Sequence, residues 1–210
     1  MIRTRSQELS VWIVAFLPLV FLTLCWTTIP QTITIHYNMA FEPDRWGSKQ
    51  TLIWLSCLPL LVSFGLILVK QTTRASFLLK LTAVGILSLL MMFIIYNSNQ
   101  NGSKNIHFIH VILGVFFIIL GQIMNSIEQN QFIGIRTRWT LAHKKVWEET
   151  HEFSSKVFLV SGLTIITTSV VLPARIVTPV FLIIILITAL ITVIYSYFAH
   201  KRYRHTNQND

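Results

Sequence analysis

Negative charge is scarce in this chain, and it is missing where it would carry the most meaning. The eight acidic residues, Glu8, Glu42, Asp44, Glu128, Glu148, Glu149, Glu152 and Asp210, lie outside the long apolar runs or at their edges. A proton or cation relay places ionisable groups inside the membrane, because nothing else carries the charge there. Their absence argues against ion-coupled transport. Cysteine is rarer still. Cys25 and Cys57 fall at comparable depth near the ends of neighbouring apolar runs. A contact between them is open, but two free thiols acting as small apolar side chains are the commoner case. There is no Gly-x-Ser-x-Gly elbow, no phosphate-cradling glycine loop, no Cys pair and no His-Glu-x-x-His, the patterns that nucleophilic, nucleotide and zinc chemistry require. Glu148-x-x-His151 has the spacing of one half of a di-metal carboxylate site, and His107 and His110 share a helix face, but no second Glu-x-x-His completes the set. Neither an enzyme, a cofactor nor a metal is expected.

What the chain has in abundance is apolar length. It is 53% hydrophobic and only 12% charged, and near-uncharged runs longer than about 18 residues belong to the membrane class. Residues 11–29, 51–69, 76–97 and 106–124 are long enough to cross, and Lys80 lies near enough to the start of the third run to snorkel. Two further runs, 157–172 and 176–199, flank Pro173-Ala174-Arg175. They can be read as one interrupted element, but each is near spanning length and Pro173 favours a break. The expected fold is an all-α polytopic membrane helical bundle of about six transmembrane helices.

Orientation follows from the basic residues, which stay on the cytoplasmic side. Arg3, Arg5, Lys70, Arg74, Lys80, Arg136, Arg138, Lys144, Lys145, Lys156, Lys201, Arg202 and Arg204 fall on one side, against Arg45, Lys49, Lys104 and Arg175 on the other. Both termini and the long polar segment are therefore expected to face the cytoplasm. Trp12, Trp26, Trp54, Tyr96, Tyr195 and Tyr197 lie near run ends, where amphipathic rings prefer the headgroup level. The same sorting accounts for the net charge of +9 without direct nucleic-acid binding, since the cations end apolar runs instead of gathering on one soluble module. The first run follows Arg3 and Arg5 as a signal peptide would, yet its length and the lack of a small-residue cleavage site predict that it is retained.

The chain then divides into a first helical hairpin (1–69) with an extracellular loop at 30–50, a second helical pair (70–125), a cytoplasmic connector with an amphipathic helix (126–156), a C-terminal helical hairpin (157–200) and a basic cytoplasmic tail (201–210). In the outer loop, residues 29–38 read as a proline-started extended piece with alternating apolar positions, and 42–49 as a turn-rich return. Such a piece can dock a peptide or lie on the headgroups. In the connector, Gly134 allows a positive-φ turn and Thr140 is placed to cap a helix starting at Leu141. Along that helix Trp139, Val146, Phe153 and Val157 recur at about helical spacing, leaving Lys144, Lys145, Glu148, Glu149 and Glu152 towards water. Lys144–Glu148 and Lys145–Glu149 are i,i+4 pairs in the weaker order, so this face reads as a solvated surface or a recognition surface. Arg136 and Arg138 are placed to meet membrane lipid phosphates. In the apolar runs, Gly114 and Gly121 together with Gly162 read as close helix packing. Thr164, Thr167, Thr168 and Ser169 either line a polar path or bond back to their own helix.

Two of these stretches together resemble a known family. Pro30 and His36, followed by Trp46-x-x-Lys49, precede Gly134-Ile135-Arg136-Thr137-x-Trp139-Thr140-Leu141 and Val146-Trp147, an order similar to that of the SdpI family of bacterial multi-pass membrane proteins. Arg138 stands where many relatives carry proline, which leaves that turn less rigid. The resemblance implies toxin immunity or toxin sensing. The ligand, a secreted antimicrobial peptide or toxin, would meet Pro30, His36, Tyr37, Asn38, Trp46 and Lys49. Gly134, Ile135, Arg136, Thr137, Trp139, Thr140 and Trp147 form the cytoplasmic motif, and a cytoplasmic transcriptional regulator is a further expected partner. The competing expectation is a small transporter or exporter of a peptide or lipid.

Overall fold

The computed structural model describes residues 5–38, 43–66, 74–98 and 106–206. Arg3, Glu42, Lys70, Lys104 and Asp210, and the end of the second apolar run at 67–69, lie outside them. In chain order the elements are α1 (Arg5–Cys25), β1 (Thr32–Tyr37), β2 (Pro43–Ser48), α2 (Thr51–Ser56), α3 (Leu58–Gly65), α4 (Arg74–Ser98), α5 (Ile106–Met124), α6 (Arg138–Ala142), α7 (Lys144–Val171) and α8 (Ala174–Thr206). Five helices are long and apolar enough to cross a bilayer, namely α1, α4, α5, α7 and α8, and Thr51–Gly65 is a shorter apolar stretch. The molecule is a polytopic helical membrane bundle. The chain forms two compact units, Met1–Ile112 with Pro173–Ile176, and Leu113–Leu172 with Val177–Asp210.

The first unit is held by α1 against α4. Val11, Ala15 and Val84 are fully buried there, with Val14, Phe77 and Leu81 packed around them. Ser88 adds a hydroxyl hydrogen bond of 3.0 Å to the Val14 carbonyl. Lys80 does not snorkel as its position suggested. It is buried, and its ammonium meets both carboxylate oxygens of Glu8 at 3.2 Å. Because α1 begins at Arg5, ahead of the apolar run, Glu8 is carried on the same helix as the core and reaches Lys80. A nearby carboxylate satisfies a cation at less cost than stretching to water.

The second apolar run forms two short helices instead of one. Pro59 sits in the first turn of α3, where it has no N–H to give the preceding turn. The two helices meet at Cys57, which keeps helical dihedrals and bonds back to Ile53 and forward to Leu61, so the join is an irregular turn within the apolar stretch Thr51–Gly65. Cys25 and Cys57 are both free thiols, and Cys25 packs against the buried Leu22, Ile29, Ile33, Leu52 and Ile95.

The outer loop is more ordered than a turn-rich return. Residues 43–48 form a strand paired antiparallel with β1, with Thr32 opposite Ser48, Ile33 opposite Gly47 and Thr34 opposite Trp46. Pro43 is tolerated because it opens the strand. Between Thr34 and His36 the register shifts, a bulge that twists the hairpin. Ile33 anchors this hairpin in the apolar cluster of Leu22, Ile29, Leu52 and Ile95.

The second unit contains α7, most of α8 and the greater part of α5. Glycines bring α5 and α7 to backbone contact. A Cβ at Gly114 would lie 3.0 Å from the Gly162 carbonyl oxygen, and one at Gly121 would lie 2.8 Å from that of Ser155. Without an apolar driving force between helices in lipid, such close approach maximises dispersion contact. On its α8 side, α7 runs antiparallel: Ser161 and Thr188 share a 2.6 Å hydroxyl bond, Phe153 stacks on Tyr195 at 3.8 Å, and Arg202 meets Glu149 at 3.2 Å. Thr164, Thr167, Thr168 and Ser169 each bond back to a carbonyl four residues earlier, at 2.6–2.9 Å. These hydroxyls are spent on their own helix.

Removing one member of the buried pair strands the other. Lys80→Met is expected to destabilise the protein by about 3 kcal/mol, whereas Lys80→Met with Glu8→Leu recovers most of that loss. Denaturant unfolding in detergent of both variants measures the difference.

Candidate functional site

The connector after α5 has no regular backbone pairing, so its polar groups must find partners one at a time. Asn130 acts as a side-chain clasp. Its carbonyl oxygen accepts from the N–H groups of Phe132 and Ile133 at 2.8 Å, and its amide donates to the carbonyls of Glu128 and Ile133. Arg136 donates to the Gln131 carbonyl at 2.7 Å. Gln129 reaches forward to the carbonyls of Thr140 and Leu141. The loop is thus folded upon itself before it touches anything else.

Gly134 then turns the chain with φ at +115°, a region L side chains rarely enter. It lies against α7: a Cβ there would meet the Trp147 ring at 3.0 Å and would also strike His151. This approach lets the next amide, Ile135 N–H, donate to His151 Nε2 at 3.1 Å. His151 Nδ1 faces the Trp147 carbonyl at 2.9 Å, and a carbonyl only accepts. The imidazole is therefore neutral, with its proton on Nδ1. Trp147 stacks on the same ring at 4.0 Å and donates its indole N–H to the Ile127 carbonyl at 2.7 Å. Both side chains are buried. His151 has no nitrogen left for a metal, so Glu148-x-x-His151 is not half of such a site. Among the described residues no group of three or more potential ligands assembles.

The helix cap falls three residues earlier than expected. Thr137, in an extended conformation, is the N-cap of α6, and Thr140 is its third helical residue. The hydroxyl of Thr137 accepts from Thr140 N–H, while Thr140 Oγ1 accepts from Thr137 N–H at 3.0 Å and donates to the Ile135 carbonyl at 2.7 Å. A threonine here does the work that glutamate or glutamine does in the usual capping box. Ser196 of α8 adds a 3.2 Å hydroxyl contact to Thr137.

The long amphipathic helix expected from Trp139 onward is interrupted. His143 is extended, ending α6 at Ala142, and α7 then runs unbroken from Lys144 to Val171. Trp139 consequently leaves the face of Val146 and Phe153 and meets Tyr197 edge-on at 5.3 Å. The buried face of α7 is Val146, Trp147, Thr150, His151 and Ser154. Lys144 pairs with Glu148 at 3.7 Å, but Glu149 turns to Arg202 and leaves Lys145 aside. Glu152 takes Lys156 at 3.1 Å.

At the hairpin, His36 Nδ1 meets Asp44 Oδ1 at 2.6 Å across the two strands. Lys49 is buried. Its ammonium donates to the Trp26 carbonyl at 3.3 Å and lies 4.5 Å over the Trp26 ring, so it clamps the hairpin to the end of α1. Pro30 is exposed and Tyr37 and Asn38 are half-buried. Trp46 is 60% exposed and Ile35 50% exposed.

Helix lengths, glycine packing and a self-bonded connector define a multi-pass membrane protein. Within that class, residues 126–196 match the SdpI/YfhL protein family, so the likeness read from Gly134 to Leu141 extends over the connector, α7 and most of α8. Residues 13–61, which include α1 and the hairpin, match a domain of unknown function, DUF1648. Over 180 residues the chain is 28% identical to Immunity protein SdpI of Bacillus subtilis (strain 168), covering 83% of this chain and 86% of that protein. No solved structure matches.

Sequence reading found Gly134, Thr137, Thr140 and Trp147 but missed His151 as the acceptor that unites them. A lone histidine on a mostly polar helix turn carries no signal of which amide it will face.

Gly134→Ala is expected to cost about 2 kcal/mol or more, since it combines a disfavoured φ with loss of the Ile135–His151 bond. Thr137→Ala removes one cap and is expected to cost about 1 kcal/mol. Thermal unfolding of the two variants in the same detergent gives their order.

Proposed function

We propose that the protein is an immunity protein that binds a membrane-active peptide and neutralises or senses it. The observation that carries this reading is the 28% identity, over most of both chains, with Immunity protein SdpI. The Ile135 amide and the Thr137 and Thr140 hydroxyls of the motif are bonded to one another, to α7 or to α8. Such an arrangement suits an anchor that holds helices in place.

The surface that suits a peptide is the hairpin. Ile35 and Trp46 stand exposed on a two-stranded ribbon whose outer edges are unpaired by any further strand among the described residues. An extended or helical apolar peptide meeting the membrane would find aromatic and branched surface there. Lys49 serves the seat of the hairpin, and the ligand contact is assigned to Ile35, His36 and Trp46. In this reading the hairpin lies outside a bacterial cell and the connector, with both termini, in the cytoplasm, which the distribution of basic residues supports. On the inner side Phe132, Arg136 and Leu141 are exposed, and apolar and basic side chains of this kind suit a cytoplasmic regulator.

Expression in a toxin-sensitive cell tests the assignment. Trp46→Ala and His36→Ala, at unchanged membrane levels, are expected to lower protection at least tenfold in toxin concentration. Arg136→Ala and Trp139→Ala are expected to weaken the response while leaving peptide binding intact. Full protection by all four would remove both surfaces from the function. Protection that saturates with protein copy number indicates sequestration, whereas energy-dependent movement of labelled peptide would indicate export.

A further inference from the structure

The acidic side chains of α7 are all matched to bases: Glu148 to Lys144, Glu149 to Arg202 and Glu152 to Lys156. Arg138, Lys145, Lys201 and Arg204 have no acidic partner among the described residues. Cations at the end of α8 complement its dipole, which accounts for part of Lys201 and Arg204. It does not account for Arg138, which opens the short helix α6. The Arg138 guanidinium lies 5.0 Å over the Trp139 ring, and Trp139 in turn meets Tyr197 of α8. Trp139 also faces the His200 ring at 6.4 Å, and Arg204 stands one turn beyond His200 on α8. His200 is stacked on His143 at 5.4 Å, and His143 on Tyr203 at 4.7 Å. Cations from two separate elements thus converge around one aromatic cluster.

That cluster lies at the end of an apolar strip. Leu186, Leu190, Ile194 and Phe198, spaced by four on one face of α8, are each about half exposed or more. Lys201 follows Phe198 by three residues and Tyr197 by four, so it continues the same face. We propose that this face binds an anionic membrane lipid, with acyl chains along Leu190 to Phe198 and the headgroup phosphate held by Arg138, Lys201 and Arg204.

The pairing of features selects the occupant. A free phosphate would use the cations and leave the strip bare. A zwitterionic lipid would cover the strip but bring a compensating positive charge to the cluster. An amphiphile with a net negative head uses both parts. The site is separate from the proposed peptide surface and does not depend on it.

Thermal unfolding of the full chain in nanodiscs tests the site, with phosphatidylcholine alone, with added phosphatidylglycerol, and with phosphatidylcholine plus inorganic phosphate. Phosphatidylglycerol is expected to raise the melting temperature, and phosphate to leave it unchanged. Arg138→Gln and Arg204→Gln are each expected to weaken the apparent phosphatidylglycerol affinity about fivefold, and Lys156→Gln, which removes a paired base elsewhere on α7, to leave it unaltered. Melting in phosphatidylcholine alone shows whether each variant is folded, and a variant that is not is replaced by Lys201→Gln. Equal affinity in all variants overturns the proposal, as does equal stabilisation by free phosphate.

Discussion

In a bilayer a polar group without a partner has no water to fall back on, and each one left over costs several kcal/mol. Most of the described hydroxyls obey that constraint, while those of Ser63, Thr150 and Ser154 are buried without a hydrogen-bond partner. Hydroxyls on α7 bond back to carbonyls one turn earlier, and Ser161 and Thr188 satisfy each other between helices. Lys80 takes a carboxylate. Where the backbone must leave the helix, at 125–137, side chains of Asn130, Arg136, Thr140 and His151 take over the pairing that a helix would have supplied.

The most recognisable motif is tied together by the same kind of pairing. Gly134, Ile135, Thr137, Thr140 and Trp147 are tied into a single structure through His151 and the Ile127 carbonyl. Their work is to lock the connector onto α7. What the lock leaves at the surface is the exposed set around it, Phe132, Arg136, Arg138 and Leu141. The hairpin follows a similar division. Ile33 and Lys49 hold it down, and Ile35 and Trp46 are left to meet something else.

Five of the spans, the break at Pro173 and the close packing of Gly114 with Gly162 were legible from apolar length and residue size alone. Each depends on a property local to a few residues: hydropathy, a missing N–H, a missing Cβ. The strand at 43–48 was not legible, because Pro43, Asp44 and Gly47 all disfavour strands and only pairing with β1 makes one. The interruption of the second span at Cys57 had Pro59 as its signal, yet the apolar run masked it.

From the sequence alone came the membrane class, the number of apolar runs and the positions of the two motif stretches, since hydropathy and composition act residue by residue. Tertiary structure alone decided that Thr137 rather than Thr140 is the cap, that Glu149 prefers Arg202 to Lys145, and that His151 accepts the Ile135 amide. The last two outcomes depend on which groups meet across 16 to 53 residues of chain. Competition among several chemically adequate partners is settled only by the distance at which the packed helices present them.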